Sequence, residues 1–229
     1  MIAKLKTRPN FSTHDTAAIG ISINSRNHEG FALESIIDWV NSQPTFNKCV
    51  IDLSDTLHRH NFNIDDYSLD QSHDLAYRCG EKWIEDNQPI LQKLRMPFEI
   101  IRWDTWLKSN EFIRNKVMIE CAITYDRNFR SALNYDVECF ASRQYRAGIS
   151  RDKIDKMLEG SYAYLIEELA VHSIFFDKIQ SVSVYPGRQQ KSFKLMRKGL
   201  VSNVPKGMQK SDYAGLYINH QEFEYAQAA

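Results

Sequence analysis

A short apolar run, Ala17-Ala18-Ile19-Gly20-Ile21-Ser22-Ile23, breaks into the polar turn Asn24-Ser25-Arg26-Asn27 just before a helical pattern begins. This transition constrains the fold more than any other part of the chain. A buried strand feeding through a short loop into a helix opens a βαβ unit, and its crossover returns to a parallel neighbour. The spacing of Ala32, Ile36, Ile37 and Val40 predicts a helix over 31–42. Lys48 to Leu53 reads as a second strand and Phe98 to Trp103 as a third, entered through Pro97. Between them, 70–94 is a long mixed-charge helical stretch that Pro89 kinks or interrupts.

Residues 104–147 are helical in character until Gly148, and a further helix runs from Arg151 through Leu169. Its positions Ile154, Leu158, Leu165 and Leu169 suit a core-facing stripe. Two late strands follow, Gln180 to Tyr185, ended by Pro186-Gly187, and Tyr213 to Asn219. The alternation predicts an α/β fold, a parallel sheet of doubly wound type flanked by helices, in one domain over 1–229.

A chain of 229 residues with 43% hydrophobic content can bury a full core. No run approaches the ~18 to 20 apolar residues of a membrane span, so no membrane association is expected. Met1 to Lys6 lacks the apolar core of a signal peptide. Cys49, Cys79, Cys121 and Cys139 are widely spaced with no C-x-x-C pair, as expected of reduced thiols in a cytoplasmic protein. The zero net charge, taken alone, argues against a nucleic-acid binder. Its distribution is less even: Arg188 to Lys210 holds seven basic residues and no acidic ones. Such a block is either an anion-contact surface or a solvated basic face.

Open α/β sheets place their ligands at the carboxyl ends of the strands, so Ser22 is positioned as a nucleophile or a substrate-binding hydroxyl. No G-x-G-x-x-G and no P-loop occurs, and the hydrolase elbow G-x-S-x-G fails at Asn24. His58-Arg59-His60 has no acidic or cysteine partner nearby, so no metal site is assigned. His172 is the one histidine placed to act as a base for a serine; packing or exposure is its other reading. Lys206-Gly207-Met208-Gln209-Lys210-Ser211 is similar to the lysine-rich loop of class I aminoacyl-tRNA synthetases, but Ile19-Gly20-Ile21-Ser22 lacks the histidine signature that adenylation needs. Tyr164 and Glu168, at i and i+4, project from one helix face.

Read together, Gly20-Ile21-Ser22, Tyr164-Leu165-Ile166-Glu167-Glu168 and Tyr185-Pro186 resemble the cyclodipeptide synthases, which make 2,5-diketopiperazines from two aminoacyl-tRNAs. The resemblance extends over essentially the whole chain. It implies a Rossmann-type fold like the catalytic domain of class Ic aminoacyl-tRNA synthetases, acting as a monomer without cofactor or metal. By the same resemblance Ser22 is the nucleophile, with Tyr164, Glu168 and Tyr185 as catalytic-pocket partners, while Gly20 lets substrate approach the strand. Ser25, where one subgroup carries Asn, and Pro186 place the chain with the Tyr-Pro subgroup, so the Asn network around the serine cannot be copied onto it.

The implied reaction is ping-pong, through aminoacyl- and dipeptidyl-serine intermediates, with the second aminoacyl-tRNA supplying the attacking amine. An aminoacyl-tRNA is an activated ester, so transfer to a serine hydroxyl is close to isoenergetic and needs no ATP. Glu168 and Tyr164 would hold the ammonium and take its proton, and Tyr185 would orient the carbonyl. Ala18, Trp103 and Val171 are candidate side-chain pocket residues. The candidate tRNA contacts are Lys82, Lys93, Arg143, Arg146, Arg188, Lys191 and Lys194, although the 70–94 helix carries more acids than bases. Two other readings stand beside this one. The first is a tRNA-independent serine acyltransferase or esterase using His172, and the second a non-catalytic RNA-binding α/β module.

Overall fold

The computed structural model describes residues 3–5, 14–62, 67–146 and 150–218, with side chains from residue 14 onward except those of 143–146. The strand that leads to Ser22 is central. β2 (Thr16–Ile21) pairs in parallel with β3 (Lys48–Leu53) on one side and β5 (Val182–Pro186) on the other. β4 (Phe98–Arg102) continues the sheet beyond β3, and β6 (Asp212–Ile218) continues it beyond β5, all parallel. A three-residue strand, β1 (Ala3–Leu5), caps the far edge antiparallel to β6. The order β1-β6-β5-β2-β3-β4 reverses direction at β2, which opens a crevice between the carboxyl ends of β2 and β5.

Alternate side chains of β2 serve opposite faces. Ala17, Ile19 and Ile21 pack with Leu33, Ile36 and Ile37 of α1 (Gly30–Asn41) and Trp83 and Leu91 of α3 (Leu69–Leu91). Ala18 joins the other core with Leu169, Val171 and Phe175 of α7 (Arg151–Lys178) and Ile119 of α5 (Asn110–Tyr125). The expected sheet with helices on both faces is present. α3 runs through Pro89, which falls in its last turn. A Ser68–Gln71 capping box starts it.

The segment expected as continuous helix over 104–147 is three helices, α4 (Asp104–Leu107), α5 and α6 (Arg127–Arg146). Two caps divide them: Ser109 Oγ accepts from Glu111 N at 3.2 Å, and Asp126 Oδ1 accepts from Asn128 N and Phe129 N at 2.9 and 3.0 Å. α7 outlasts its predicted end because Ala170, Val171, Ile174, Phe175 and Phe176 are all core. Two further short helices were not foreseen, α2 (Arg59–Phe62) and α8 (Lys191–Arg197). α8 lies inside the basic stretch, and its first N–H groups are capped from a distant helix, since Asp136 accepts from Lys191 N and Ser192 N at 3.0 and 2.9 Å. A 3-10 turn at Gly207–Lys210 then presses on α7 so closely that a Cβ on Gly207 would sit 1.8 Å from Ser173 O.

Candidate active site

Ser22 follows β2 into the crevice, and Asn24 in the left-handed region (φ 59°) turns the chain away behind it. Two imidazoles hold the serine. His28 Nδ1 accepts from Ser22 N at 2.9 Å, and His58 Nε2 lies 2.9 Å from Ser22 Oγ. The Tyr164 phenol lines the same cavity as the Ser22 hydroxyl. Both histidines are neutral: burial takes each pKa down to about 4, and the neighbouring His28 adds to the effect on His58. The His28 ring stands edge-on to Tyr185 at 4.9 Å, and the His58 ring edge-on to Tyr164 at 5.7 Å.

The tautomer of His58 depends on Asn61, whose amide nitrogen lies 3.2 Å from His58 Nδ1. With the nitrogen so placed, Nδ1 accepts and Nε2–H donates to the serine. Rotating the amide exchanges its oxygen and nitrogen, keeps the proton on Nδ1 and frees Nε2 to accept from Ser22 Oγ.

α7 supplies one stripe to the site. Tyr164, Glu168 and His172, each four residues from the next, line one cavity together with Ser22, Gly20 and Tyr185. A methyl on Gly20 would touch the Tyr185 ring at 3.4 Å, so glycine leaves this floor open. Burial pushes Glu168 up to about 7, with Asp52 and Asp136 adding to the rise and His172 and Gln190 opposing it. Its Oε2 is buried without a hydrogen-bond partner among the described residues. Burial likewise raises the Tyr164 phenol well above its ordinary value, reinforced by Glu168, so it stays protonated.

His172 is not the serine's partner. Its Nε2 meets Asp52 Oδ2 at 3.0 Å, and its ring sits among Trp103, Phe175, Phe176 and Phe193. Glu167 faces the opposite way from Glu168. It binds Arg59, His60 Nε2 at 3.1 Å and Trp103 Nε1 at 2.9 Å. Burial opposes its ionisation, but the His60 bond and the Arg59 charge outweigh that and hold it below the ordinary carboxylate range. The two histidines of His58-Arg59-His60 thus point to different partners. Among the described residues no three His, Cys, Asp or Glu side chains gather as a metal site.

The cavity brings together Ser22, Gly20, Ala18, Tyr164, Glu168, Tyr185 and Arg188. Trp103 and Val171 are fully buried behind it, and Pro186 is buried in β5 against Leu216. Ser25 sits in the turn after Ser22, its carbonyl accepting from His28 N at 2.8 Å. Lys82 and Lys93 lie on the α3 side of the sheet, away from the cavity, Lys82 paired with Asp86 at 2.8 Å and Lys93 with Glu34. Arg188, Lys191 and Lys194 are exposed on the cavity side, Lys191 Nζ standing 3.1 Å over the Tyr135 ring. The side chains of Arg143 and Arg146 lie outside the described residues.

Sequence reasoning did not find His28, His58, Asp52 or Arg197. A usable signal existed for the first two. Both follow adjacent parallel strands, β2 and β3, so their loops adjoin the loop of Ser22.

Fold and site together define an α/β protein of the Rossmann type, with a histidine-bonded serine at its switch point. No protein-family model matches the chain, and no curated protein matches it. Solved structures do. A CDPS from Fluoribacter dumoffii superposes with a TM-score of 0.81 at 23% identity, covering 95% of this chain and 98% of its own. A cyclodipeptide synthase from Candidatus Glomeribacter gigasporarum, solved bound to Phe-tRNAPhe, gives 0.71 at 18% identity over 89% of this chain and 87% of its own. A Mycobacterium tuberculosis protein, described as showing that cyclodipeptide synthetases are related to type I tRNA synthetases, gives 0.65 at 13% over 93% and 92%. At these identities the likeness establishes the fold, a Rossmann-type sheet shared with cyclodipeptide synthases. No helix among the described residues is long and apolar enough to cross a membrane.

Proposed function

We propose that this protein is a cyclodipeptide synthase that joins two aminoacyl groups carried by tRNA into a 2,5-diketopiperazine. The observation that supports it most is the convergence of Ser22, Tyr164, Glu168 and Tyr185 on one cavity at the switch point of the sheet. In the first step Ser22 Oγ attacks the ester carbonyl of an aminoacyl-tRNA. The hydroxyl proton passes to His58 Nε2 or directly to the departing ribose oxygen, and the tRNA leaves with its hydroxyl restored.

For the dipeptide to remain on the serine, the amine of the aminoacyl-Ser22 must attack the second ester. Attack in the opposite sense, with the second substrate as nucleophile, would leave the dipeptide on tRNA, so the expectation that the second aminoacyl-tRNA supplies the amine is incompatible with a dipeptidyl-serine intermediate. Glu168, held near neutrality, is matched to take the proton of that ammonium. The free amine of the dipeptidyl-serine then attacks the serine ester, the six-membered ring closes, and Ser22 Oγ regains a proton through Tyr164, which stays a neutral phenol in the same cavity. Arg188, Lys191 and Lys194 supply phosphate contacts at the cavity side.

Incubation with a mixture of charged tRNAs, followed by mass spectrometry, yields cyclic dipeptides in this reading, and Ser22→Ala yields none. A folded protein that makes no cyclic dipeptide from any of the charged tRNAs is not a cyclodipeptide synthase. The serine esterase reading predicts instead turnover of simple esters without tRNA and its loss in His172→Ala.

A further inference from the structure

The cavity beside Ser22 holds a cation that the chemistry above does not use. Arg197 closes α8, and its guanidinium lies 5.3 Å from the Tyr213 ring and 5.6 Å from that of Phe176. Its Nε and Nη1 are cut off from solvent and have no hydrogen-bond partner among the described residues. Burial lowers its pKa to about 10, with Tyr213 and Asp212 opposing the shift, so the charge persists at neutral pH. Neither of those neighbours bonds Nε or Nη1. Arg197 as a whole is half-buried, but its two enclosed nitrogens are costly unless a ligand completes their hydrogen bonds.

Strand register places that charge relative to the serine. Ala18, Ser183 and Tyr213 form one row across β2, β5 and β6, and all three line the cavity with Arg197. Ala18 lies four residues before Ser22, on the strand that leads to it. Serine and guanidinium therefore line one cavity, with Phe193 and Phe176 also in its wall. An acyl group on Ser22 that is anionic at its tip would complete the hydrogen bonds of the guanidinium.

We propose that this cavity selects an aminoacyl group with a carboxylate side chain, glutamyl or aspartyl, and that Arg197 is the residue that determines this specificity. The inference rests on the reading of Ser22 as acceptor of an aminoacyl group.

The test is to incubate the purified protein separately with tRNAs charged with Glu, Asp, Gln, Leu and Phe and to follow the acyl adduct by intact-protein mass. An adduct from Glu- or Asp-tRNA, absent in Ser22→Ala, is expected to form at least about 10-fold faster than from Gln, Leu or Phe. Arg197→Leu should lower the ratio of acidic to leucyl acylation by about 10- to 100-fold, and Arg197→Lys, which keeps the charge, should lower it less. A ratio within one variant does not depend on the fraction folded. Where Arg197→Leu does not fold, Arg197→Lys still lowers the ratio measurably, because a single ammonium cannot reproduce a bidentate contact. Faster acylation from Leu or Phe in the wild type, or a ratio unmoved by either variant, overturns the specificity and leaves the proposed function standing. No adduct from any charged tRNA overturns both.

Discussion

Ser22 Oγ and His58 Nε2 lie 2.9 Å apart although 36 positions separate them, because parallel pairing of β2 with β3 brings the loops after both strands to one end of the sheet. The same end carries Tyr164 of α7 and Tyr185 of β5. If His58 takes the serine proton, His58→Phe lowers the rate of Ser22 acylation by about 10²- to 10⁴-fold, read as adduct mass against time. Asn61→Asp, which holds the proton on Nδ1, should preserve or raise that rate. Acylation unchanged in His58→Phe would mean that the ribose oxygen accepts the proton unaided.

Glu168 makes two pH predictions. Its folded pKa of about 7 stands above the ordinary 4.5, so the fold favours the protonated acid. Its contribution to stability is complete below pH 4.5 and is lost as pH rises through 7. Glu168→Gln should therefore stabilise the protein at pH 8 by roughly 3 kcal/mol relative to its effect at pH 4.5, measured by urea unfolding at both. If Glu168 accepts the proton of the amine, dipeptide formation should also have a rising limb near pH 7 that Glu168→Gln removes. A wild-type profile flat from pH 6 to 8 would count against that role.

His28 and His58 act in the opposite sense on stability. Both are neutral with pKa values lowered to about 4 from 6.5, so their contribution is complete above pH 6.5 and is lost as pH falls through 4. The wild type should lose stability between pH 6.5 and 4, and His58→Phe should flatten that loss. Melting curves across this window decide it.

Glu167 is structural. It ties Arg59 and His60 of α2 and the Trp103 indole to α7. Glu167→Ala leaves a largely buried guanidinium unpaired, and a loss of about 3–5 kcal/mol is expected, with a shift in Trp103 fluorescence. Glu168→Ala should show neither. Equal destabilisation by the two would mean that the adjacent glutamates are not divided between scaffold and cavity.

Phosphate contact by the basic segment is read from salt. Lys191→Ala and Lys194→Ala should each weaken tRNA binding and reduce the slope of log K against log salt by about 0.7 to 0.9, whereas Lys82→Ala, on the far side of the sheet, should not. Binding that is insensitive to salt would remove these lysines from the interface.

The sequence by itself determined the α/β class, the strands around residues 17–23, 48–53 and 98–103, and the Tyr164–Glu168 pair on one helix face. Those properties are local: apolar periodicity, glycine and proline punctuation, and i, i+4 spacing lie within a few turns of chain. Only the tertiary structure decided which histidine meets the serine. His172, the sequence candidate, is held by Asp52 on the neighbouring strand, and His58 reaches Ser22 through the register of β2 and β3. It also decided that Glu167 and Glu168 do different work and that α8, capped by Asp136 of another helix, carries Arg197 to the cavity. Such pairings join residues 36 to 120 positions apart, and burial, which sets the charge of each group, exists only once the sheet and its two helical layers have packed.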